Sequence, residues 1–119
     1  MKAYKVVDTD GWSSGFLYRE TLSLKYQINK VTRPKVGKIF VFKNLKSAKK
    51  FIKSLNQNGF FGFRIFSGKA ENCKRMLYMS RFSNIEQMWA YWEGDELRRR
   101  TPYGTYGCDA FTPLKEIKV

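Results

Sequence analysis

Ile39-Phe-Val-Phe-Lys-Asn-Leu-Lys-Ser-Ala-Lys-Lys-Phe-Ile-Lys-Ser-Leu-Asn-Gln-Asn-Gly59 carries two hydrophobic patterns back to back, and the change between them decides the fold class. Residues 39–42 are a wholly apolar run of strand length, fit for the middle of a sheet. From Asn44 the spacing changes. Leu45, Ala48, Ile52 and Leu55 fall at i, i+3, i+7 and i+10, one face of a helix, with Phe51 beside them. Asn44 supplies an N-cap and Gly59 a C′ residue, which bounds the helix at 44–58. A buried strand feeding an amphipathic helix implies a layered α+β arrangement.

Outward from this unit, residues 2–7 alternate, with Tyr4, Val6 and Val7, and read as a strand closed by the turn Asp8-Thr-Asp-Gly11. Residues 22–31 place Leu22, Leu24, Tyr26 and Ile28 on one side and Ser23, Lys25, Gln27 and Asn29 on the other, the pattern of a half-buried strand. Arg33-Pro-Lys-Val-Gly37 ends it. After the helix, 60–67 and 75–82 read as strands. Ser83-Asn-Ile-Glu86 is a capping box that opens a second helix over 84–93, striped by Ile85, Met88, Trp89 and Trp92. Residues 105–119 form a terminal strand pair or one bent strand. The expected architecture is a single α+β domain over 1–119, of order β-β-β-α-β-β-α-β-β, with a mostly antiparallel sheet packed against two helices. At 119 residues, 43% hydrophobic and 17% aromatic, the chain has the apolar area for one core.

Charge is distributed unevenly. From Thr21 to Ala70, fifty residues contain no Asp or Glu and twelve Lys or Arg. The rest of the chain holds eleven basic and ten acidic side chains, so the formal charge of +13 resides almost wholly in this block. Such a block implies a polyanionic partner, because cations that displace counterions from phosphates gain affinity without reading sequence. Lys46, Lys49, Lys50 and Lys53 line the polar face of the helix as a lysine ridge. Arg33, Lys35, Lys38, Lys25, Lys30 and Arg64 are the further candidate contacts. The expected partner is nucleic acid, DNA or RNA, with an acidic surface of a host protein as the alternative.

Aromatic residues among these cations invite comparison with base-stacking strands. Phe61-Gly-Phe-Arg-Ile-Phe66 and Ile39-Phe-Val-Phe-Lys-Asn-Leu45 are superficially similar to the two aromatic strands of RNA-recognition motifs. The spacing fails, because residues 46–60 have room for a helix but not for the additional strand that motif requires. These phenylalanines are therefore expected in the core.

Catalytic chemistry finds little to work with. The chain has no histidine, which removes the commonest general base and metal ligand together. Cys73 and Cys108 match no metal-binding spacing and read as reduced core thiols. Gly59-Phe-Phe-Gly62 and Gly104-Thr-Tyr-Gly107 lack the lysine and helix start of a phosphate loop. Asp109 is the one acid in an apolar strand, the best candidate for a perturbed carboxylate, with a satisfied structural role expected. Trp12 is expected to tuck into the core, and Arg98-Arg-Arg100 to pair with Glu93, Asp95 and Glu96. No enzyme activity, cofactor or metal is expected. No apolar run is long enough to span a bilayer, and residues 1–11 lack a signal-peptide core, so a cytoplasmic protein is expected.

Tyr4-Lys-Val-Val7, Tyr26-x-Ile28, Gly37-Lys-x-Phe40-Val-Phe42, Ala48-Lys-Lys-Phe51 and Gly104-Thr-x-x-x-Asp109-Ala together resemble small uncharacterised proteins encoded by phages, large DNA viruses and some microbes. The resemblance covers nearly the whole chain and brings no activity. It implies an origin, and with a phage origin a host-takeover or counter-defence role. The segment 37–51 also faintly resembles ADP-ribosyltransferase-like folds, whose His/Tyr/Glu or Arg/Ser/Glu set has no counterpart here.

Overall fold

A computed structural model describes residues 1–11, 24–34, 38–75, 78–79, 99–100 and 104–118. Along them run β1 (Lys2–Val7), β2 (Ile39–Phe42), α1 (Leu45–Gln57), β3 (Arg64–Glu71), β4 (Lys74–Arg75), β5 (Tyr78–Met79), β6 (Arg99–Arg100), β7 (Thr105–Cys108) and β8 (Ala110–Ile117). Six strands form one antiparallel sheet in the order β4-β7-β2-β1-β3-β8, and β5 pairs with β6 separately.

β7 and β8 are separated by Asp109 alone, yet they lie toward opposite ends of that order. The register explains this. From Lys69↔Thr112 through Glu71↔Ala110 to Lys74↔Gly107 and Arg75↔Tyr106 one offset is kept, so 64–75 and 105–117 are two long strands side by side. β1 pairs with β2 and β3, and β2 with β7, so the pairings close into a circuit and the sheet wraps around an interior. The register shifts between Ser67 and Gly68, where a Cβ on Gly68 would collide with the Thr112 carbonyl oxygen.

Alternation along β1 assigns its side chains to two layers. Ala3 and Val7 join Tyr26, Ile39, Val41, Phe66, Ala70, Cys108 and Phe111 in one buried cluster. Val6 joins Phe42, Ile65 and the helix residues Ala48 and Ile52 in the other. An isolated helix of the 13 residues of α1 is marginal in water, so this docking holds it. Asn44 caps it as the sequence predicts, its side chain accepting from the Ser47 N–H at 2.8 Å. Gly59 leaves the helix at φ +85°.

Lys5 is the exception among the inward-facing residues of β1. Its ammonium is buried, donates to the Phe40 carbonyl oxygen at 2.8 Å and lies 5.5 Å from the Tyr26 ring centroid. Burial holds its pKa at about 8, below the usual 10.5.

Several expectations need correction. The α+β class and the antiparallel sheet hold, and α1 fills the predicted helix. The second predicted helix, 84–93, lies outside the described residues, as do Trp12, Lys35 and Arg98. The segment predicted as a strand over 22–31 is not one among its described residues: it makes isolated bridges at Lys25 and Thr32 and turns at Asn29, whose φ is +64°. Tyr26 is buried but Ile28 is exposed. The alternation reports side-chain burial, and the segment covers the sheet interior without joining a ladder. The strand expected from Phe60 begins at Arg64. Residues 75–82 yield only β4 and β5 among the described positions, and the terminal strand runs over 105–117, broken at Asp109.

Candidate nucleic-acid interface

The buried face of α1 dictates where its lysines go. With Ala48 and Ile52 against the sheet, Lys46, Lys49, Lys50 and Lys53 stand on the opposite side, all exposed. None of them takes part in an ion pair among the described residues, and the helix contains no acidic residue. Every charged neighbour these lysines meet at i+3 or i+4 within the helix is therefore another lysine, and Lys46 adds its charge to the positive end of the helix dipole.

Beyond the helix, the chain presents two aromatic rings. Phe60 is 56% exposed and Phe61 73%, which for Phe61 corrects the expectation of core packing, while Phe42 and Phe66 are buried. Local geometry places the pair outside. Gly59 and Gly62 flank it, both with φ near +85 to +89°. The Phe60 N–H donates to the Leu55 carbonyl at 3.0 Å, holding the first ring at the helix end. The Thr9 hydroxyl donates to the Gly62 carbonyl at 2.8 Å, and a Cβ on Gly62 would clash with that hydroxyl. The two rings thus sit on a tethered turn that immediately follows the lysine ridge. The sequence signal for this exposure is the aromatic dipeptide flanked by glycines, Gly59-Phe-Phe-Gly62, because glycine is the residue that takes positive φ freely.

The remaining predicted cations that are described stand off the helix. Lys25, Lys30 and Arg33 lie on the segment that supplies Tyr26 to the other layer. The Lys25 ammonium donates to the Asp10 carbonyl oxygen. Lys38 pairs with Asp109, which also accepts from the Asn72 amide. These two hydrogen bonds hold the Asp109 carboxyl below the usual carboxylate range, with Arg33 adding a smaller electrostatic contribution. The Asp109 carboxylate is thus partnered within the chain by Lys38 and Asn72. Arg64 donates from Nε to Glu116 at 2.8 Å and from Nη1 to the Thr9 carbonyl at 3.1 Å, and its guanidinium lies 5.1 Å from the Phe66 centroid. Arg64 and Lys38 are thus compensated within the chain.

No protein-family model, curated protein or solved structure matches this chain. Among the described residues no cluster of three or more Cys, Asp or Glu is placed to hold a metal ion. No helix among them is long and apolar enough to cross a membrane.

Proposed function

We propose that this is a non-enzymatic nucleic-acid-binding domain that lays the lysine ridge of α1 along a phosphate backbone and stacks unpaired bases on Phe60 and Phe61. The observation that carries the reading is four exposed lysines on one helix face without a carboxylate partner among the described residues. Like-charge neighbours on a helix cost about 0.2–0.5 kcal/mol per pair, and Lys46–Lys49, Lys46–Lys50, Lys49–Lys53 and Lys50–Lys53 are such pairs. A bound polyanion removes that cost and releases its own counterions. At about 1.5 Å rise per residue the ridge extends about 10 Å, room for roughly three phosphates of one strand. Bases stacked on rings contribute about 1–3 kcal/mol each without sequence preference, which favours single strands over duplex.

Exposed phenylalanines also favour a second reading, in which the pair anchors the domain in an acidic host-protein surface and the ridge steers the encounter. Fluorescence anisotropy with a single-stranded oligonucleotide and the matching duplex separates the two. Nucleic-acid binding predicts salt-sensitive affinity that is higher for the single strand and lost when Lys46, Lys49, Lys50 and Lys53 are all changed to Ala. Absence of binding to either oligonucleotide at about 50 mM salt refutes it.

A further inference from the structure

The two cysteines, 35 positions apart in sequence, meet across the ladder of the two long strands. Lys74 faces Gly107 in β4 and β7, and the next pair in that register is Cys73 and Cys108. Directly opposed residues of an antiparallel pair project to the same face with Cβ atoms about 4.5–5.5 Å apart, close to the spacing a disulfide spans. The side chains bear this out: Cys73 packs against the cluster that contains Cys108, and the two thiols are within hydrogen-bonding reach of each other. Both are free. Cys108 is completely buried and Cys73 partly exposed, so one thiol of the pair is open to reagent and the other is shielded behind it.

We propose that Cys73 and Cys108 form a reversible dithiol–disulfide site that reacts with low-molecular-weight disulfides such as oxidised glutathione. The Cys73 thiolate attacks the reagent's S–S bond, forming a mixed disulfide and releasing one glutathione thiolate. Cys108, after giving up its proton, then attacks the Cys73 sulfur and expels the second glutathione. The two protein thiols lose two electrons and two protons, and the reagent's disulfide becomes two thiols. Burial raises both thiols, Cys108 to about 12, so the reaction is slow at neutral pH and speeds up in mild alkali. The product bond ties edge strand β4 to β7 and closes the chain from 73 to 108. In a glutathione-reduced compartment the pair stays open; a more oxidising one closes it.

The test is to incubate the folded full-length chain with oxidised glutathione at mildly alkaline pH, then measure intact mass, peptide linkage and thermal unfolding. The expected product has lost two hydrogens, yields one Cys73–Cys108 linked peptide, and unfolds on the order of 10 °C higher, reversibly with dithiothreitol. Under the same conditions C108S is expected to stop at a glutathione adduct on Cys73. A persistent glutathione adduct on the native chain, a dimer linked through Cys73, or an unchanged mass would each overturn the proposal.

Discussion

Lys46→Glu should make this protein more stable while weakening its grip on nucleic acid. Position 46 is the second residue of α1, where the unpaired backbone N–H groups favour an anion by about 0.3–1 kcal/mol. The substitution also turns two repulsive neighbours, Lys49 at i+3 and Lys50 at i+4, into attractive ones, each attraction contributing about 0.2–0.5 kcal/mol. Allowing for surface screening, the net stabilisation is about 1–2 kcal/mol, which raises the midpoint of thermal unfolding by roughly 4–8 °C. Binding moves the other way. A phosphate contact on a single strand contributes a salt slope of about 0.7, so losing one costs about fivefold in affinity near 0.1 M salt, before any repulsion from the new carboxylate. Thermal melts by circular dichroism and anisotropy titrations on the same samples read both effects. A lower melting midpoint would show that Lys46 has a structural partner. A raised midpoint with unchanged affinity would remove the ridge from the interface.

Three further outcomes follow from other parts of the molecule. Phe61→Ala, at a 73% exposed position, should leave stability within about 0.5 kcal/mol while costing single-strand affinity about 1–3 kcal/mol and duplex affinity little, measured by parallel melts and titrations. Gly68→Ala forces a Cβ into the Thr112 carbonyl oxygen, so chemical denaturation should show a loss of at least about 2–3 kcal/mol; a neutral result would mean the bulge relaxes freely. Lys5 sits at about 8 when folded and at 10.5 when unfolded, so above pH 8 the folded state releases a proton that the unfolded state keeps. Relative to Lys5→Met, the wild type should therefore gain on the order of 1 kcal/mol of stability from about pH 7 to 9, while the raised thiols of Cys73 and Cys108 pull both proteins the other way. A wild-type-minus-variant difference that stays flat across this range would contradict the buried placement of Lys5.

The features legible in the sequence are those set by neighbours along the chain. A cap at Asn44, an apolar stripe and Gly59 define α1 wherever it docks, and the same helical spacing puts its four lysines on one side. What could not be read depends on pairing between distant segments. Tyr26 alternates like a strand residue, but its partners Phe111 and Lys5 come from elsewhere, and it fills the interior from a segment that turns away at Asn29. Phe61 carries the composition of a core residue, yet two left-handed glycines turn it out. Whether Lys38 or Arg64 is available was fixed by Asp109 and Glu116, 71 and 52 residues away. The facing of Cys73 and Cys108 likewise exists only once β4 is in register with β7.

The central claim is that the α1 ridge contacts phosphate, and its salt slope measures this most directly. Single-strand affinity should be titrated between about 50 and 300 mM salt for the wild type and for the variant with Lys46, Lys49, Lys50 and Lys53 changed to Ala. The slope of log affinity against log salt should become shallower by about 2 in the variant, one step of about 0.7 for each of roughly three lost phosphate contacts. An unchanged slope, or no binding by the wild type at the lowest salt, would contradict it.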